Sequence, residues 1–134
     1  MISVTRTLET TPEVLGKGDF FAGRFELIEE LGVDWGLIRA DNCFELDVRI
    51  VIETNDGAFI YAEYSGIAPM TKEQVDRFLA GELPKGVCIY ITPRFETGHE
   101  NYQWLTQIQA VGRGSAEIVG DKIKITYSLY ELRV

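Results

Sequence analysis

The stretch that decides the fold is "CFELDVRIVIETNDGAFIYAEYSG", residues 43–66. Apolar and polar residues alternate on both sides of "TNDGA", the pattern of a β-hairpin with one apolar face. Two turns compete. A two-residue type I′ loop at Asp56-Gly57 pairs Ile50 with Glu63 and Arg49 with Tyr64. A three-residue loop over 55–57, with Gly57 in the left-handed bulge position, pairs Arg49 with Glu63 and Ile52 with Ile60. The second register sorts the faces. Leu46, Val48, Ile50, Ile52, Ile60, Ala62 and Tyr64 share one side. Asp47, Arg49, Val51, Glu53, Phe59, Tyr61 and Glu63 share the other. A slip by one residue would flip every side chain, so the three-residue loop is expected.

The charged side has two readings. It is a solvated or subunit-interface face, or it lines a pocket. Exposed ion pairs are worth only ~0–1 kcal/mol. The same charges inside a small barrel would orient a polar ligand, because interior and exterior positions alternate along each strand.

Around the hairpin, the pattern reads as short strands punctuated by 13 glycines. Strands are expected at 2–9, in "RFELIEEL", around Leu37 and Ile38, and at 44–54, 58–65, 87–92, 103–111 and 122–133. "GRGSAEIVGDKI" holds two turn signals with a possible short strand between them. Gly16, Gly18 and Gly23 read as strand breakers before "RFELIEEL". "TKEQVDRFLAGEL" reads as one short helix. Thr71 and Gln74 form a capping box, Val75, Phe78 and Leu79 form an apolar stripe, and Gly81 ends the helix. The implied fold is all-β, a meander or barrel in a single domain over 1–134.

Composition narrows the partners. The net charge is −8 over 134 residues, with 46% hydrophobic and 25% charged content. That balance repels phosphate backbones and anionic membranes, so neither nucleic acid nor membrane is an expected partner. No apolar run nears the ~18 residues of a membrane span, and no signal-type h-region opens the chain, so a cytoplasmic protein is expected. Cys43 and Cys88 lack metal-type spacing and read as thiols in apolar strands.

Catalytic motifs are sparse. The chain has one histidine, His99, in a Gly- and Glu-containing loop. It has no nucleophile elbow, no converging metal ligands and no phosphate-binding glycine loop. No metal and no cofactor are therefore expected. Asp34, Asp47, Glu63 and Glu96 could include a general acid or base if one is desolvated. Trp35, Tyr102 and Trp104 could supply aromatic walls, although Trp104 with Thr106 and Ile108 on one strand face would equally be core.

"GVDWGLIRADNCFELDVRIVIETNDGAFIYAEYSGI", "TPRFETGHENYQWL" and "VGRG", in that order over residues 16–133, resemble domain-of-unknown-function family 3237. The resemblance implies a closed antiparallel β-barrel of calycin-like type, often in homo-oligomers. The family's role is unassigned, so it implies no chemistry. Its polar positions fall on Asp34, Trp35, Arg39, Asp47, Arg49, Asp56, Glu96, Tyr102 and Trp104. One departure stands out: Tyr90 occupies a slot where many relatives carry arginine, which puts the relatives' ligand in doubt here.

The function expected from the sequence is binding of a small, partly apolar molecule inside the barrel. Asp34, Trp35, Arg39, Asp47, Arg49, Glu63, Glu96, Tyr102 and Trp104 are the candidate ligand-binding residues. In particular, Asp47 or Arg49 is expected to enter a cavity that also meets Trp35 or Trp104. The alternatives are a cofactor-free isomerase, cyclase or hydrolase using a buried carboxylate with Arg49, or a purely structural oligomeric module. The charge balance predicts no tight, salt-sensitive shift of duplex or single-stranded nucleic acid in a gel assay.

Overall fold

The computed structural model describes residues 4–9, 23–30, 36–54, 56–119 and 122–131. Asp34, Trp35, Gly16 and Gly18 lie outside the described residues. Among the described residues, eight strands form: β1 (Val4–Glu9), β2 (Gly23–Glu30), β3 (Gly36–Ile38), β4 (Cys43–Thr54), β5 (Phe59–Pro69), β6 (Ile89–Glu96), β7 (Ala110–Val119) and β8 (Lys122–Glu131). One α-helix, α1 (Lys72–Leu79), and one 3₁₀ helix, Glu100–Gln107, interrupt them. The sheet order is β1-β2-β8-β7-β6-β5-β4-β3. Every neighbour in that order pairs antiparallel. β1 also pairs with β4, in parallel, through Thr7↔Glu53 and Leu8↔Thr54.

The hairpin adopts the expected register. Arg49 lies opposite Glu63, and Ile52 opposite Ile60. The Gly57 N–H donates to the Thr54 carbonyl at 3.0 Å, and the Thr54 N–H donates to Ala58 at 2.8 Å. Gly57 has φ +86°, the left-handed conformation that the bulge requires and that glycine takes at least cost.

The apolar face of the hairpin is the inner one. Ile52, Ile60 and Ala62 are fully buried, and Leu46, Ile50 and Tyr64 nearly so. They join Ile91, Phe95, Tyr127 and Leu129 in one contiguous cluster. Burying an Ile or Leu side chain contributes about 1.5–3 kcal/mol, so this cluster is the main source of cohesion. Tyr64 and Tyr127 meet edge to face with ring centroids 5.5 Å apart.

The two helical segments sit at opposite ends of the hairpin. α1 follows β5 at the Cys43–Pro69 end, where its Phe78 ring packs 5.5 Å from Phe44. Its capping box forms as expected, with Thr71 and Gln74 exchanging hydrogen bonds at 3.2 and 2.8 Å. Gly81, at φ +87°, donates to Phe78, and Glu82 donates to Arg77, so the last carbonyls are satisfied. Val75 is buried, but Leu79 is largely exposed and leaves the expected stripe.

The strand expected over 103–111 is instead the 3₁₀ helix up to Gln107, with β7 starting at Ala110. The physical reason is the spacing of its anchors. Tyr102 and Leu105 are buried three residues apart, which suits three residues per turn. His99 caps the segment, its Nδ1 accepting from the Asn101 N–H at 3.2 Å. Pro93 explains why β6 frees this chain. β7 pairs only with Ile89–Ile91, so Pro93, which has no N–H, lies beyond that ladder.

Glycine makes the inner face fit at β5–β7. Ile91 is flanked by Gly66 and Gly112 in register. A Cβ on Gly112 would stand 2.6 Å from Ile91 Cγ1, and one on Gly66 would stand 2.7 Å from Ile91 Cγ2. Gly66→Ala and Gly112→Ala should each cost about 1–3 kcal/mol in urea unfolding. Gly98→Ala, with open space around it, is the control and should change little.

Candidate functional site

The hairpin's charged face points outward. Arg49 is 71% exposed and Glu63 48%, with 3.9 Å between Arg49 Nε and Glu63 Oε2. Asp47 and Glu96 are exposed as well. The charged interior site is therefore not built by these residues. Period-2 alternation puts them opposite the face that Ile50, Ile52 and Ile60 bury, and the buried face is the inner one. Within residues 36–54, 56–118 and 124–131, no Asp or Glu is buried. Nor do three His, Cys, Asp or Glu side chains converge there as a metal site would need.

Two sequence candidates are engaged in closing turns. Arg39 donates to both carboxylate oxygens of Asp41, at 3.0 and 2.6 Å, and to Glu45 at 3.0 Å. This fork ties the β3–β4 turn. The guanidinium holds the Asp41 carboxyl down at about 2, and the Cys43 N–H supports the same shift. The paired carboxylates in turn raise the pKa of Arg39.

Tyr102 is buried, and its hydroxyl donates to Asp56 Oδ1 at 2.7 Å. The Thr54 hydroxyl donates to the same oxygen, while the Ala58 N–H donates to Thr54 Oγ1 at 2.8 Å. Thr97 Oγ1 donates to the Phe59 carbonyl at 2.8 Å and accepts from the His99 N–H at 3.1 Å. The segments "TNDGA", "FETG" and "HENYQWL" thus meet at one end of the sheet and close it. Trp104 stands on the same 3₁₀ helix, about one-third exposed. These residues hold the fold; they do not line a pocket with Asp47.

A concave surface lies elsewhere, on the outer face of β3 to β8. Register builds it. Leu37, Glu45, Ile67, Tyr90 and Arg113 form one cross-strand row. Beside it run Asp47, Ser65 and Thr92 in a second row, with Val111 opposite Tyr130. Together they line a groove of about 1030 Å³. Leu37, Ile67, Tyr90 and Val111 are 61%, 40%, 45% and 41% exposed, so apolar surface is concentrated there. Isolated exposed apolar residues are normal on proteins, whereas a contiguous set in a groove marks a binding surface.

Arg113 closes one side. Its Nη2 donates to Cys88 Sγ at 3.7 Å, and that contact raises the guanidinium pKa. Of the seven sequence candidates among the described residues, Asp47 alone is in the groove lining. Arg39, Arg49, Glu63, Glu96, Tyr102 and Trp104 are spread over the two ends and the outer face. Ile67, Val111, Arg113 and Tyr130 were not among the candidates, and Tyr90 stood out only as a departure. Outward-facing apolar residues in consecutive strands are the signal that could have found them.

The fold and site define a barrel-like all-β protein with one short helix and an outer groove of mixed polarity. The chain belongs to the family described as "Protein of unknown function (DUF3237)", whose model matches residues 7–132. A "UPF0311 protein" of Rhodopseudomonas palustris (strain TIE-1) is 37% identical over 111 residues, which span 81% of this chain and 69% of that protein. The solved structure of a conserved protein of unknown function from Rhodopseudomonas palustris matches with TM-score 0.58 and 29% identity over 96% of this chain and 97% of that one. A β-barrel-like protein of Acinetobacter baumannii AYE matches at TM-score 0.54 and 24% identity, over 99% of this chain and 97% of that one, and supports the fold alone. No helix of the described residues is long and apolar enough to cross a membrane.

The closed end makes a pH prediction. Asp56 is held below the ordinary carboxylate range, first by the Thr54 hydroxyl and then by Tyr102. A carboxylate depressed in the folded state contributes stability that is complete above its unfolded pKa of about 3.9 and is lost as pH falls through the folded value. Tyr102→Phe should lower the melting midpoint by a few degrees at pH 7. The gap from wild type should narrow as pH drops below about 4. A gap independent of pH would assign the loss to packing and not to the carboxylate.

Proposed function

We propose that the protein binds a small, partly apolar molecule in the groove on the outer face of its sheet. The observation that carries this reading is the cross-strand row of exposed Leu37, Ile67 and Tyr90 running to Arg113, with Asp47 beside it. An apolar surface with a few placed polar groups is what a ligand site requires. In this reading the two-residue β1–β4 ladder closes the sheet into a calycin-type barrel, and the packed interior makes it a rigid platform. Asp47 is the ligand-binding residue among the sequence candidates. The net charge of −8 supports a cytoplasmic protein with no nucleic-acid partner.

A second reading is favoured by the contiguous apolar cluster inside the sheet. There the protein is a structural module, and its apolar outer row is the face on which copies assemble into a homo-oligomer. Catalysis by a cofactor-free isomerase, cyclase or hydrolase has weaker support, since the candidate carboxylates Asp47, Glu63 and Glu96 are all exposed.

The neutral probe 4-biphenylmethanol, titrated into ¹⁵N-labelled protein, should give saturable shifts at Ile67, Tyr90, Thr92 and Val111. Tyr90→Ala should weaken binding at least about threefold by removing an aromatic wall. Shifts confined to other residues, or none, would overturn the groove reading. A stable dimer in sedimentation that Tyr90→Ala dissociates would favour the structural module instead.

A further inference from the structure

We propose that the groove's ligand is an elongated amphoteric molecule, with a carboxylate at the Arg113 end, an ammonium group at the Asp47 end, and a flat apolar body between them. This rests on the reading that the groove binds a small molecule, and it goes on to name the class.

Arg113 and Asp47 are both available to a ligand. Arg39 is held by Asp41 and Glu45, Arg49 lies beside Glu63, and Arg77 pairs with Glu73 and Glu82. Arg113 meets no carboxylate among the described residues. Its hydrogen-bond partner is Cys88 Sγ, on Nη2. A guanidinium has five N–H donors, so most of its donors remain to meet an anion bidentately. On the acidic side, Glu45 is engaged by Arg39, whereas Asp47 makes no hydrogen bond or ion pair among the described residues. Each charge is therefore placed in the groove with its counter-charge unprovided.

Asp47 is on β4 and Arg113 on β7, three strand spacings apart and two residues out of register, roughly 16 Å between backbones. They are too far apart to neutralise one another. Between the two charges lie Ile67 and Tyr90, which offer an apolar floor, and the Ser65 and Thr92 hydroxyls. A ligand with both charges on one carbon would reach only one end. A rigid body with its charges at opposite ends reaches both.

The test uses four probes of one shape: 4′-(aminomethyl)biphenyl-4-carboxylic acid, biphenyl-4-carboxylate, 4-phenylbenzylammonium and neutral 4-biphenylmethanol. Affinities are read by NMR titration at low salt. The amphoteric probe should bind tightest and the neutral one weakest, each matched charge strengthening binding up to about fivefold. Arg113→Gln should erase the advantage of the carboxylate and spare that of the ammonium. Asp47→Asn should do the reverse. Both residues are exposed, so the variants should keep the fold. Equal affinity of all four probes, with the neutral one still mapping to Ile67 and Tyr90, would overturn the charge assignment and leave the groove reading standing. Failure of every probe to shift groove residues would overturn both.

Discussion

The structure depends on the β4–β5 ladder and the bulged turn that sets its register. Eleven residue pairs run without interruption from Cys43↔Pro69 to Glu53↔Phe59. The bulge at Gly57 gives the loop its third residue, and that residue decides which side chains face inward. A two-residue loop would slip the ladder by one. Arg49 would then lie opposite Tyr64, and the two strands would no longer agree on which face is apolar. With the bulge, Ile50, Ile52, Ile60, Ala62 and Tyr64 enter one core, and Asp47, Arg49 and Glu63 are delivered together to the outside.

Closure of the turn end follows from the same place. Asp56 stands in the loop and accepts hydroxyl hydrogen bonds from Thr54 and Tyr102. Tyr102 reaches it because β6 loses β7 as a partner before Pro93, leaving the following chain to coil into a 3₁₀ helix. The helix then buries Tyr102 and Leu105 against the core. Polar residues that looked like site residues in the sequence act here as fasteners. Arg39 does the same at the β3–β4 turn, where Asp41 and Glu45 occupy its guanidinium.

The inner and outer faces divide the work. The inner face is crowded enough that Gly66 and Gly112 must lack side chains beside Ile91. The outer face is different: Leu37, Ile67, Tyr90 and Val111 stay exposed around a groove with separated opposite charges. The packed core holds the strands at constant spacing, so the groove's polar groups keep fixed separations.

The sequence by itself determined the hairpin register, the α1 caps, the all-β character and most strand positions. Each of these rests on local rules: period-2 alternation, the Asp-Gly turn, and the Thr71–Gln74 capping box. It also carried the resemblance to the family to which the chain belongs. The 3₁₀ helix at Glu100–Gln107 was misread as a strand, because Trp104, Thr106 and Ile108 alternate as a strand would, while the anchors that matter are Tyr102 and Leu105. Which face of the hairpin is inner was open in the sequence, since both faces carry aromatics and only the assembled sheet buries one of them. The groove was less legible still. Leu37, Asp47, Ile67, Tyr90 and Arg113 are separated by long stretches of chain and become neighbours only through the pairing of β3 to β7. Local alternation specifies which side of its own strand a residue takes; only tertiary pairing decides what stands beside it on the next.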